Sequence, residues 1–377
     1  MFSLLLAFPL FLALLTVWLM NQWRPLQLHA GSRISSLDGL RGYLAFGVFL
    51  HHSTLWFFYL HNGEWNFPAP SWLQQLGEVS VTLFFMITGF LFTTKLRRAA
   101  PKKIDWVQLY TSRVMRIVPL WLVIKLLVVI TALLIKRLDL DSDNPSHLAA
   151  TASTGLMTAG VTWTLYYEWL FYFTLPWFAL LLRKRPSVSW LLCSTLLIVL
   201  LGFHRVLSIY SLAFVGGMLS AWLFSLPHLR SFACSAKGSL TAAALLLWVL
   251  FAFETAYDVV PCLLLTLAFM LIASGANLFG ILNTRLSRVF GEITFSIYLL
   301  HGFVLFLTFR FLIGLPLAST FTLQAHWLVI SAITPVLIAL SYLCFQYLES
   351  PAMRATPKIV VQIKTFLMRI NIKQLRT

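Results

Sequence analysis

Residues 35–53 read SSLDGLRGYLAFGVFLHHS, an apolar run that opens on Asp38 and Arg41 and closes on His51 and His52. As a helix, it puts Arg41 and His52, eleven residues apart, on one face. They lie ~16 Å apart along the axis, with Asp38 about one turn below Arg41. His51 sits about 80° round from that face and is read as structural. Charges and imidazoles are costly in hydrocarbon and unnecessary in an ordinary core, so the solvent around this stretch decides the fold.

The rest of the chain names that solvent. Of 377 residues, 59% are hydrophobic and only 11% charged, too few charges to coat a soluble protein of this size. Long apolar runs follow one another with short polar breaks, and about 20 such residues in a helix cross a bilayer. Eleven spans are expected, at 2–20, 38–60, 77–94, 117–135, 161–182, 188–203, 206–226, 239–255, 259–279, 289–311 and 326–347. The fold class is therefore all-α, a polytopic integral membrane helical bundle. Cys193, Cys234, Cys262 and Cys344 stand singly, so neither a disulfide framework nor a zinc site is expected. The sequence carries no solenoid-type repeat.

A net charge of +16 would suit nucleic acid, but its placement excludes that partner: the basic residues cluster between apolar runs, with no soluble basic domain. Segment 95–116 holds Lys95, Arg97, Arg98, Lys102, Lys103, Arg113 and Arg116, and the positive-inside rule makes it cytoplasmic. Alternation then places Arg183, Lys184, Arg185, Arg230, Lys237, Arg285, Arg288 and the basic C-terminal tail on the same side. The opposite loops hold Lys136, Arg137 and Arg205 beside Asp139, Asp141, Asp143 and Asp258. The N-terminus is expected outside and the C-terminus in the cytoplasm. The first run lacks a preceding basic region, so it reads as an uncleaved helix rather than a signal peptide. The longest outer loop, 136–160, is a lid candidate.

Two further runs carry ionisable groups. Counting at helical rise from Arg183 and Arg288, Glu168 in WTLYYEWLFY and His301 in GEITFSIYLLH share a depth with His52. All three sit ~16–23 Å above the cytoplasmic face of a core about 30 Å thick. That agreement suggests one water-accessible cavity; a protonated carboxyl and a core imidazole are the bland alternatives. Lys125 either snorkels or pairs with Glu168, and Arg310 reads as an interfacial anchor. Glu292 falls in the first turn of its span, where the dipole suits it. Glu349 ends the last span at a helix C-terminus and needs a cationic partner. In SRVMRIVP, Arg113 and Arg116 lie one turn apart, arranged either to grip phosphate oxygens or simply to anchor the span. A transporter with an intramembrane His/Glu proton relay is the rival reading. It predicts inverted repeats and paired Gly/Pro-broken helices, which the sequence lacks.

Taken in order, the motifs resemble the acyltransferase 3 family of membrane-bound acyltransferases. LDGLRG with a histidine eleven residues after its arginine is similar to the family's opening signature. LFFMITGFLF resembles its F-F-x-x-S-G-F-L run with Thr88 for the usual serine, and SRVMRIVP its R-x-x-R-x-x-P motif. WTLYYEWLFY resembles W-S-L-x-x-E-x-x-F-Y, FSIYLLH resembles S-Y-S-L-Y-L-x-H, and YLESPAMR the closing E-x-P. Trp169 stands where a second acidic residue is frequent, and Leu300 where tryptophan is. The resemblance covers 35–354 as an acyltransferase 3-like transmembrane domain, flanked by an extra N-terminal helix and cytoplasmic linker at 1–34 and a basic cytoplasmic tail at 355–377. It implies a ten-helix core plus that first helix, about 11 transmembrane helices in a plasma (bacterial inner) membrane.

The resemblance also implies a reaction: an acyl group, commonly acetyl, passes from cytoplasmic acyl-CoA, a co-substrate rather than a bound cofactor, to a carbohydrate or lipid-linked sugar hydroxyl. On this reading Arg41, Arg113 and Arg116 bind the donor, and Asp38 and Glu349 hold those arginines. His52 is the catalytic base, with Glu168 or His301 orienting it or the sugar. Direct transfer and an acyl-histidine intermediate both stay open, and no metal is expected. Membrane lipid is the surrounding partner.

Overall fold

The computed structural model describes residues 2–28, 34–68, 71–98, 104–137, 157, 158, 160–182, 184, 186–202, 206 and 208–374. Lys102, Lys103, Arg183, Arg185, Arg205, Asp139, Asp141, Asp143 and most of the lid candidate lie outside the described residues. Within them the secondary structure is helical, with no strand.

The helices are α1 (Phe2–Trp23), α2 (Ser35–Asn62), α3 (Trp72–Arg98), α4 (Trp106–Arg137), α5 (Thr162–Leu181), α6 (Val188–Leu201), α7 (Tyr210–Leu223) and α8 (Pro227–Ala233). They continue as α9 (Ala236–Ala252), α10 (Val259–Ser274), α11 (Arg285–Glu292), α12 (Thr294–Leu307), α13 (Leu315–Ala318), α14 (Leu323–Cys344) and α15 (Ser350–Gln374). Each of the eleven apolar runs coincides with a helix, but the structure does not confirm eleven full-length spans. Among the described residues, four helices are long and apolar enough to cross a bilayer: α3, α4, α12 with its π turn to Ile313, and the continuous run Leu323–Arg369. The pair α7–α8, bent by 108°, is a fifth if it is one broken span rather than a re-entrant loop. Helix ends cut the runs of α6, α9 and α10 short. α6 keeps 14 residues and α9 17, ~21–26 Å against a core of about 30 Å.

α2 packs against α3, α11 and α12, and the glycines of its opening motif make this close. A Cβ on Gly39 would lie 2.0 Å from the Leu282 carbonyl oxygen, and one on Gly291 would lie 1.7 Å from that of Asp38. Only glycine permits this backbone approach, which fixes Asp38 and Arg41 against α11. Above this contact the interface is filled by fully buried Phe46, Phe49, Phe290 and Phe306.

Two carboxylates stand differently from their sequence placement. Glu292 is not in the first turn of a span: it closes the short α11, and Ile293 separates it from α12. Glu349 does not end a helix: it closes a π turn, Phe345–Glu349, that joins α14 to α15 without a break. The wider turn immediately precedes Pro351, whose ring and missing N–H would disturb a regular α-helix. The basic tail is thereby helical as far as Gln374 and lies along α4.

Candidate active site

α2, α3, α4, α5 and α12 enclose a cavity of about 620 Å³. Its chemistry is polarised along the bundle. One end carries Asp38 and Arg41 from the first turns of α2, Lys95 and Arg98 from the last turn of α3, and Arg113 and Arg116 from α4. Lys95 and Arg98 are exposed, so this end is open to solvent. Toward the other end the lining turns apolar: Val81, Phe84, Leu165 and the ring of Tyr298.

The cations are held by buried acid. Glu349, 1% exposed, accepts a hydrogen bond from Ser296 Oγ, and its charge acts on Arg116 and Arg41. Glu292 lies within electrostatic reach of the same Arg116. Although Glu349 does not end a helix, Arg116 and Arg41 are the cations within its electrostatic reach. Arg113 sits with its guanidinium carbon 5.3 Å from the Phe92 ring centroid. Arg41 and Arg113 each bury a side-chain Nε that has no hydrogen-bond partner among the described residues. Such donors suit an anionic ligand in the cavity.

Glu168 belongs to this cavity and not to the histidines. Its Oε1 accepts from Tyr172 Oη one turn along α5 and from Thr88 Oγ1 at 3.3 Å. Tyr172 in turn lies within hydrogen-bonding reach of Arg113. The level of α5 explains the separation. Thr164 Oγ1 pairs with Tyr298 Oη at 2.7 Å, so the first turn of α5 meets α12 one turn short of His301. Glu168 lies a further turn toward the arginines.

Beyond Tyr298 stands a histidine pair. His301 is fully buried, its Nε2 3.1 Å from His52 Nδ1. His301 Nδ1 faces the Ile297 carbonyl at 3.1 Å, and His52 Nδ1 also faces the Val48 carbonyl at 3.0 Å. Carbonyl oxygens only accept, so each Nδ1 carries the proton. His301 Nε2 then accepts from His52, whose own lone pair is left on Nε2. Trp65 stacks over His52 with centroids 6.4 Å apart, and the Tyr298 ring lies 6.1 Å from that of His301.

The family model for this acyltransferase domain (acyltransferase 3) matches residues 34–346. The chain belongs to the acyltransferase 3 family. No curated protein and no solved structure matches it.

The acyltransferase 3 motifs converge from five helices on one cavity and the histidine pair above it. Thr88, the departure from the usual serine, still supplies a hydroxyl, and supplies it to Glu168. Trp169 turns away to stack on Phe173 at 5.8 Å. His51 does not join the pair's hydrogen bonds: its Nδ1 lies 3.2 and 3.1 Å from the Leu73 and Gln74 carbonyls. Lys125 sits 5.8 Å over the Trp121 ring. Sequence reasoning passed over Tyr172, Tyr298 and Glu78. Tyr172 was signalled by its place one turn after Glu168, and Tyr298 by its place one turn before His301. Glu78 ties α3 to the turn before α10, accepting from Thr255 Oγ1 at 2.6 Å and the Ala256 N–H at 2.8 Å.

Proposed function

We propose that this membrane acyltransferase moves an acyl group, acetyl by family analogy, from cytoplasmic acyl-CoA to a hydroxyl of a cell-surface or lipid-linked carbohydrate. One observation carries the reading: a cavity cationic at its open end leads toward a hydrogen-bonded histidine pair. Arg41, Arg113 and Arg116 take the donor's phosphates, and the two buried Nε donors support that role. The donor's arm lies along α2, spanning the ~16 Å between Arg41 and His52. Glu349 and Asp38 hold the arginines; Glu168 with Tyr172 and Thr88 holds the cavity wall that faces them.

In the reaction His52 Nε2 takes the proton of the acceptor hydroxyl as its oxygen attacks the thioester carbonyl. The C–S bond breaks, the ester remains on the acceptor, and the imidazolium returns the proton to the leaving thiolate. His301 positions His52 by accepting from its Nδ1–H, which fixes the tautomer and stabilises the transient cation. The experiment is mass spectrometry of surface glycans and glycolipids from cells with and without the protein. Acyl-sized mass differences that vanish with the gene, and return only with an intact His52, are expected. Identical glycans in both would remove the acceptor class.

A further inference from the structure

The apolar inner end of the cavity has no part in the mechanism above. Val81, Leu165 and Tyr298 there are 7%, 8% and 7% exposed, and Phe84 is half-buried beside them. Phe84 meets the Tyr298 ring edge-on, with centroids 6.1 Å apart, and Tyr298 in turn adjoins His301. These side chains lie between the arginines and the histidines.

We infer that Val81, Phe84, Leu165 and Tyr298 form an acyl pocket, and that Phe84 limits the transferred group to a short chain. The inference rests on the donor reading. With phosphates at the arginines, the thioester is the far end of the donor, and its carbonyl must meet His52. The arm lies along α2, so the chain attached to that carbonyl folds back beside it against the facing wall, and these four residues, from α3, α5 and α12, are the apolar part of that wall. The two rings are not equally fixed. Tyr298 is pinned by Thr164 Oγ1 at 2.7 Å and the Val161 carbonyl at 3.2 Å. Phe84 has packing alone to hold it, so its ring sets the space available. Removing that ring gives longer chains a buried place, worth about fourfold in affinity per methylene newly covered. Enlarging it removes space from all but the shortest.

The test uses the full chain in nanodiscs and measures binding of coenzyme A, acetyl-CoA, butyryl-CoA and octanoyl-CoA. The parent should prefer acetyl over octanoyl. Phe84→Ala should narrow that preference at least tenfold while leaving binding of free coenzyme A unchanged. Phe84→Trp should weaken butyryl relative to acetyl. If Phe84→Ala does not fold, Phe84→Leu reads the same ratio in the same direction. A parent that takes octanoyl as readily as acetyl overturns the pocket, as do ratios unmoved in these variants while coenzyme A still binds. Failure of the parent to bind coenzyme A or any acyl-CoA is a different result, and defeats the donor reading itself.

Discussion

The tautomer of His52 is set by the backbone. The Ile297 carbonyl sets the proton of His301, and His301 together with the Val48 carbonyl sets the proton of His52. His52→Ala should therefore abolish transfer, since a general base contributes about 10²–10⁴-fold in rate. Losing an intramembrane hydrogen bond costs only ~0.6–2 kcal/mol of stability, so the variant should insert and bind donor. His51→Ala should keep most activity, because its bonds go to backbone at the start of α3. His301→Ala should fall between them, with Val48 still holding the Nδ1 proton. Acceptor acylation by well-inserted variants decides; near-parental activity in His52→Ala would move the base elsewhere. The shared face of Arg41 and His52 was legible because helical geometry alone fixes it. The partnership with His301 was only half legible: depth agreed, but rotation is a matter of packing. Glu168 does line the cavity, but its level within it was not legible, for the same reason. Counting residues from Arg183 assumes an upright helix of known level, whereas the Thr164–Tyr298 contact sets where α5 stands.

At the scale of elements, the C-terminal helix shows what composition conceals. Scattered lysines and arginines read as a basic tail, and Pro351 and Pro357 are residues that ordinarily end a helix. The π turn before Pro351 carries the helix through, and α15 then gains an interface on α4 that no local signal announces. Midway along it Lys364 pairs with Asp105, just ahead of α4. Burial alone would raise the Asp105 carboxyl. The Lys364 hydrogen bond, the Gln108 N–H and the nearby charges of Lys364 and Lys95 outweigh it and hold the carboxyl below its usual range. The stabilisation is therefore complete above the unfolded value, about 3.9, and is lost as pH falls through the lower folded one. The side chains are 41% and 35% exposed, so solvent screening limits the pair to roughly 0.2–1 kcal/mol. Asp105→Asn should raise hydrogen exchange in α15 a few-fold at neutral pH and remove its acid dependence. Exchange equal in parent and variant at every pH would leave packing against α4 as the helix's sole anchor.

For the whole molecule, the proposed function requires one particular end of the bundle to meet the cytoplasm, because coenzyme A thioesters are made there. The structure gathers Arg41, Lys95, Arg98, Arg113 and Arg116 at one mouth, and α15 extends from that end. At the opposite end His61 Nε2 meets the Phe321 carbonyl at 3.1 Å, closing α2 against the turn before α14, and Trp65 covers His52. Lys and Arg near span ends are retained on the cytoplasmic side, and on the function proposed above the arginine mouth is then the donor entrance. Cysteine labelling in intact cells tests this. Cys193 and Cys234 are exposed, so the four native cysteines are first replaced by serine. Ser319→Cys, exposed in the turn before α14, should then react with a membrane-impermeant maleimide applied outside. Thr365→Cys, exposed on α15, should react only after permeabilisation. Reversed labelling would put the arginines outside, where no coenzyme A thioester reaches them. The cavity would then need another anionic ligand, although the tautomers of His52 and His301, fixed by backbone carbonyls, would be unchanged.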